Sequence, residues 1–265
     1  MRYGPKKTSL REKLKKIFGP FLVVVILFVK FFAKIKFLFL PLLKYGWMIL
    51  KTGGTMLASI VAYSFLFGWW YAVGFVILIL VHECGHWMAA RMLGLRAGWP
   101  VFIPFMGAYV ALKDVPKNAW IEAQVGIAGP LLGGLGCAGS YGLYLFTGQK
   151  IFAALAATGC TLNLLNMIPF GFLDGGRIAN AISPRLWLAG FALLVAIAMA
   201  QFPMIDPFLL LVSIFAVPRF LSLFRKHTDE EKRYLEATSS QRATMSALYF
   251  GLAAALAVGS VFFRL

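Results

Sequence analysis

From Thr52 to Val81 the chain runs without a single charged side chain. In lipid, every backbone N–H and C=O must be satisfied within its own segment, and a helix crosses the hydrocarbon core in ~20 residues. The stretch is too long for one straight span, and Gly68-Trp69-Trp70-Tyr71 divides it with aromatics suited to a membrane interface. Two spans are therefore expected, at about 47–68 and 72–93. Further apolar segments follow at Val125–Thr147, Ile151–Met167, Leu186–Gln201, Pro207–Leu223 and Ala243–Phe263. With 60% hydrophobic and only 14% charged residues, a soluble domain is excluded. The fold class expected is an all-α polytopic membrane protein of about six transmembrane helices, give or take one.

The net charge of +16 could suggest nucleic acid, but the cations sit in connectors and at the N-terminus, so no nucleic-acid partner is expected. Residues 1–16 read as a basic cytoplasmic tail attracted to anionic lipid. Phe18–Leu50 is apolar yet interrupted by Lys30, Lys34, Lys36 and Lys44, which favours an interfacial or re-entrant element with snorkelling lysines. Lys30, Lys34 and Lys36 also follow Phe21–Val29 where a signal peptide would carry a small-residue cleavage site, so no cleavable signal is expected. Counting sides alternately, Lys113, Lys117, Arg177, Arg185, Arg225, Lys226, Lys232 and Arg233 fall with the N-terminus, and Lys150 and Arg264 opposite. That bias puts the N-terminus on the cytoplasmic side. Cys84, Cys137 and Cys160 are an odd set in predicted helices and imply no disulfide framework.

Chemistry concentrates at His82-Glu83-Cys84-Gly85-His86, where the apolar run ends. Histidines four apart share a helix face, so both imidazoles reach one cation, and the adjacent glutamate can act on a water. Ionisable groups at the end of a hydrophobic span are costly and mark functional sites. A hydrolytic zinc site needs a third protein ligand and an open position. His227 and Asp229 lie among charged residues, Asp114 does too, and Asp206 falls on the opposite side of the membrane. Asp174 ends the uncharged run Ile151–Leu173 on the same side as His86, where Pro169, Gly171, Gly175 and Gly176 break the helix. Its bland alternative is a helix-capping aspartate.

Between the motifs, Trp99–Leu112 has the composition of a β-hairpin turning at Pro104 and Phe105-Met106-Gly107. Lys113–Glu122 reads as an interfacial helix. The glycines of Val125–Thr147, Gly129 and Gly133 among them, suit close helix packing. Three regions result: 1–51, the basic tail and apolar element; 52–185, a catalytic membrane core; and 186–265, C-terminal transmembrane helices with a polar cytoplasmic segment at 225–242.

Taken together, His82-Glu83-x-x-His86, the Gly129-Pro130 helix and Asn166-x-x-Pro169-x-x-x-Leu173-Asp174-Gly175 resemble the site-2 protease family of intramembrane zinc metalloproteases (peptidase family M50), over roughly residues 55–185. The resemblance implies peptide-bond hydrolysis in transmembrane protein substrates. It implies one Zn2+ held by His82, His86 and Asp174, with Glu83 as general base and Asn166 holding substrate or stabilising the oxyanion. The hairpin is similar to the family's membrane-associated β-element near the active site, and we expect one of its edges to receive an unwound substrate by strand addition. No connector is long enough for the PDZ or CBS domain of many relatives. The competing class is a zinc-binding membrane scaffold or ion-pathway protein, needing the ligands but not Glu83.

Overall fold

The computed structural model describes residue 30 and residues 50–171, 173–200 and 228–264. The expectations for residues 1–49 and for Pro207–Leu223 lie outside them. The chain divides at Lys51, and Thr52–Leu265 form the larger unit.

Helix α1 (Leu50–Phe67) stops at Gly68, whose φ of 80° is left-handed, and α2 (Trp69–Met92) begins at once. The expected division of the uncharged run therefore falls where glycine allows the chain to turn. Helix α2 closes on Gly94, with the Leu95 amide reaching back to the Ala90 carbonyl, a glycine-terminated end that satisfies the last carbonyls. Strands β1 (Val101–Ile103) and β2 (Gly107–Tyr109) form an antiparallel hairpin, with Phe102 opposite Ala108. The Arg96 guanidinium and Asp114 carboxylate clamp its open end at 2.6 Å, beside the Ala97–Leu112 bridge.

Helix α3 (Ala119–Thr147) starts where the Asn118 side chain accepts from the Ile121 amide at 3.0 Å. Here the structure departs from the separate interfacial helix expected at Lys113–Glu122. Residues 113–118 are irregular, and the helical residues 119–122 are the first turn of α3. Pro116 has no amide to donate, and Asn118 caps the helix that follows. Helix α4 (Lys150–Asn166) returns antiparallel to α3. After a break at Met167–Leu173 come α5 (Asp174–Ile182), α6 (Leu186–Ala200), α7 (Asp229–Leu235) and α8 (Ser239–Phe262).

Helix α3 is central, packing on α2, α4 and α5, while α8 closes over α4 and α5. Ile127, Cys137, Cys160, Met167, Ile178, Met245 and Tyr249 fill the space between them. Arg242 of α8 donates to the carbonyls of Ile182 at 2.7 Å, Ala237 at 3.2 Å and Leu235 at 3.3 Å, tying the end of α5 to the segment before α8. Among the described residues four helices, α1, α2, α3 and α8, are long and apolar enough to cross a membrane. The protein is thus an all-α membrane protein, with one small hairpin among the described residues. Helices α4 and α6, at 17 and 15 residues, cover two of the other expected segments.

Candidate metal centre

The buried stripe of α2 runs Ala72, Val76, Ile79, His82 with Glu83, His86 and Ala90. At steps of three and four residues it is one helix face. The histidines therefore continue an apolar stripe inward, toward α3 and α4. The chain enters α5 through a reversal in which the Tyr249 hydroxyl donates to the Met167 carbonyl. Asp174 occupies the first turn of α5, and Gly175 and Gly176 lie against the backbone at Met167 and Gly171, where a Cβ would overlap carbonyl oxygens. Any larger residue would lift α5, and its carboxylate, away from α4.

These two elements bring His82, His86 and Asp174 together, their ligand atoms all within 4.8 Å of one another and all three residues buried. The two Nε2 atoms are 3.1 Å apart; the Asp174 oxygens lie 3.1 Å from His82 Nε2 and 3.2 Å from His86 Nε2. The other ring nitrogens each face a protein acceptor. His86 Nδ1 is 2.8 Å from the Val125 carbonyl oxygen, which only accepts, so Nδ1 carries the proton. His82 Nδ1 is 2.7 Å from Asn163 Oδ1, and the Asn163 amide nitrogen donates to the Gly159 carbonyl at 2.8 Å, which fixes the amide's orientation. His82 Nδ1 is then a donor too. A neutral ring so held turns its Nε2 lone pair toward the two carboxylate oxygens, and four ligand atoms then converge where a cation can bind. Two imidazole nitrogens and a carboxylate are a donor set that zinc takes in hydrolytic sites.

Glu83, 6% exposed, and Asn166, half-buried at the end of α4, line the same cavity of about 490 Å³ as the three ligand-bearing residues. Phe105 to Val110 of the hairpin form another wall, and Arg177, one turn along α5 from Asp174, reaches it as well. The arrangement offers a cation site, a carboxylate beside it and a β-hairpin lining the same cavity. Of the other candidate ligands, Asp114 pairs with Arg96 and Asp229 with Lys232, both at the surface; Asp206 and His227 lie outside the described residues.

Two features escaped the sequence reading. Asn163, 2% exposed, is the residue that holds His82, whereas attention fell on Asn166. A buried amide inside the apolar helix α4 was the available signal. The second is the use of two glycines. A Cβ on Gly129 would overlap the His86 ring, and one on Gly133 would overlap the Asn163 amide. They make room for side chains of the site as well as for close helix packing.

Comparison with known proteins adds a second line. Residues 70–149 match the model of peptidase family M50, which takes in the two histidines, Glu83, the hairpin and all of α3, and stops short of Asp174. A zinc metalloprotease of Methanocaldococcus jannaschii is 33% identical over 126 residues, covering 42% of this chain and 34% of that protein. A chloroplastic protein of Arabidopsis thaliana named "probable zinc metalloprotease" is 28% identical over 163 residues, 43% of this chain and 29% of the relative. A rice protein of the same name (Oryza sativa subsp. indica) is 28% identical over 152 residues, 41% and 28% of the two chains. The chain spans about a third of the length of the curated relatives it matches.

Proposed function

We propose that the chain is a member of the site-2 protease family, peptidase family M50, and an intramembrane zinc metalloprotease that hydrolyses peptide bonds of transmembrane substrates. The observation that carries this reading is the convergence of four ligand atoms from His82, His86 and Asp174 beside a buried glutamate. Zinc held by these three residues supplies a Lewis acid that acidifies a water and polarises a carbonyl. Glu83 takes the proton of the attacking water and passes it to the leaving amine nitrogen. The Asn166 amide, on the cavity wall, donates to the carbonyl oxygen as negative charge develops there; one such donor is typically worth ~3–4 kcal/mol. His82 and His86 keep their protons on Nδ1 throughout, leaving Nε2 free to ligate.

A substrate helix hides its amides in its own i→i−4 bonds, so it must unwind before it is cut. The hairpin has one edge to offer it. The Thr55 hydroxyl of α1 accepts from the Phe102 amide at 3.3 Å, which turns that amide away from β2 and occupies the outer side of β1. By antiparallel alternation Ala108, opposite Phe102, turns its amide and carbonyl outward on β2, along the cavity. An unwound segment adds there. The N-terminus and the active-site side face the cytoplasm, a reading supported by the distribution of Lys and Arg.

The test is metal analysis and cleavage of a membrane-embedded substrate by the full chain purified in detergent. Wild type is expected to carry one zinc. Asp174→Ala should lose it, and Glu83→Gln should keep it while proteolysis stops. Zinc content unchanged by Asp174→Ala would remove that residue as a ligand. A zinc-dependent function that survives Glu83→Gln would replace the enzyme with a scaffold.

A further inference from the structure

We propose that Asn163 is a positioning residue for the metal centre, its amide oxygen fixing His82 in the tautomer whose Nε2 points at the ligand cluster. The inference rests on the metal-site reading above. A neutral imidazole exchanges its proton between two nitrogens, and a proton on Nε2 would stand where a cation must bind. For His86 the choice is made by a main-chain atom, the Val125 carbonyl, which no side-chain substitution removes. For His82 it is made by one side chain. Asn163 answers the requirement with both ends of its amide. The oxygen accepts from His82 Nδ1 at 2.7 Å, while the nitrogen donates to the Gly159 carbonyl at 2.8 Å within its own helix and faces Cys137 Sγ at 3.8 Å. The amide cannot flip without setting oxygen against the Gly159 carbonyl and nitrogen against a ring N–H. Gly133, on α3, leaves the room in which this amide lies. Three helices thus combine to orient one proton: α2 supplies the ring, α4 the amide and α3 the space.

Zinc affinity of the full chain in detergent, measured by competition with a chromophoric chelator, tests this. The variants are Asn163→Leu, Asn163→Asp and Gly133→Ala, with the visible spectrum of the cobalt-loaded protein recorded alongside. Loss of a partner that orients a ligating histidine typically costs 10- to 100-fold in metal affinity. Asn163→Leu, similar in shape but without an acceptor, should show that loss and an altered cobalt spectrum. Asn163→Asp retains an acceptor opposite Nδ1 and should recover most of the affinity. Gly133→Ala, which crowds the amide from another helix, should fall on the weak side with Asn163→Leu. A merely packing role predicts the reverse order, because a buried aspartate is the more disruptive change and leucine the milder one. Leucine binding zinc as well as wild type, or aspartate binding it no better than leucine, overturns the proposal. Wild type failing to take up zinc would instead overturn the metal-site reading itself.

Discussion

Replacing Gly129 with alanine adds one methyl group where the structure has no room for it. The new Cβ would overlap the Nε2 edge of the His86 ring, the edge that faces His82 and Asp174. The ring cannot swing clear, since its Nδ1 is bonded to the Val125 carbonyl at 2.8 Å. Val125 and Gly129 are one turn apart on α3, so the imidazole lies across that turn and is gripped from both ends. Relief must come from separating α2 and α3 or from turning the ring out of line. Overpacking of this kind costs ~1–3 kcal/mol. If all of it falls on the ligand geometry, zinc affinity drops roughly 5- to 150-fold. Gly139→Ala on the same helix is the control, because a Cβ there meets nothing within 4 Å. Chelator competition on both purified variants, with thermal unfolding as a check on folding, separates the two cases. Gly139→Ala should bind like wild type and gain slightly in helix propensity. Gly129→Ala binding zinc within twofold of wild type would refute the argument that this glycine exists to admit the ring.

Other expectations follow from the same geometry. Glu83→Gln should lower turnover by ~10²–10⁴-fold with zinc content unchanged, measured by metal analysis and single-turnover cleavage. Ala108→Pro removes the outward amide of β2 without touching the paired amides; it should abolish cleavage of a helical membrane substrate while zinc affinity stays within twofold. Arg242→Ala gives up three carbonyl partners and should lower stability by ~1.5–3 kcal/mol in thermal or denaturant unfolding, since those carbonyls then face one another unbridged. At the hairpin base the Arg96 guanidinium pulls the Asp114 carboxyl down to about 2. A depressed pKa means the unfolded connector binds the proton more readily, so this stabilisation is complete above the usual carboxylate value of ~4 and is lost as pH falls toward 2. Hydrogen-exchange protection across 97–113, taken relative to the intrinsic rate at each pH, should fall over that window in wild type and show no such step in Arg96→Ala.

The fold class could be read from the sequence because lipid leaves so few choices. Thirty uncharged residues at 52–81 compel helices, and Gly68 compels the break between them. The hairpin, too, showed in composition, in β-branched and aromatic residues around Pro104 and Gly107, although simple interfacial packing would use the same residues. The start of α3 did not. Polarity alone made Lys113–Glu122 look like an interfacial helix, and the decision was made by Pro116 and the Asn118 cap at single positions. Within the site, His82, Glu83, His86 and Asp174 stood out because ionisable groups in an apolar chain are conspicuous. Asn163 did not stand out, because an uncharged amide costs less to bury and its partner lies 81 residues away on another helix. Gly129 and Gly133 were visible as small residues, but what they make room for is a matter of tertiary approach that helical spacing cannot reveal.

The hydroxyl of Thr55 against the first strand of the hairpin would bear on traffic through the proposed protease. With that flank taken, an arriving polypeptide would align along Ala108, and opposed strands are the more stable pairing. Direction of travel would then be biased before any residue of the guest is recognised. Membrane proteins threaded one way would present their scissile bond to Glu83 in register, and those threaded the other way would present it reversed. A single threonine hydroxyl would in that way sort clients by topology rather than by sequence.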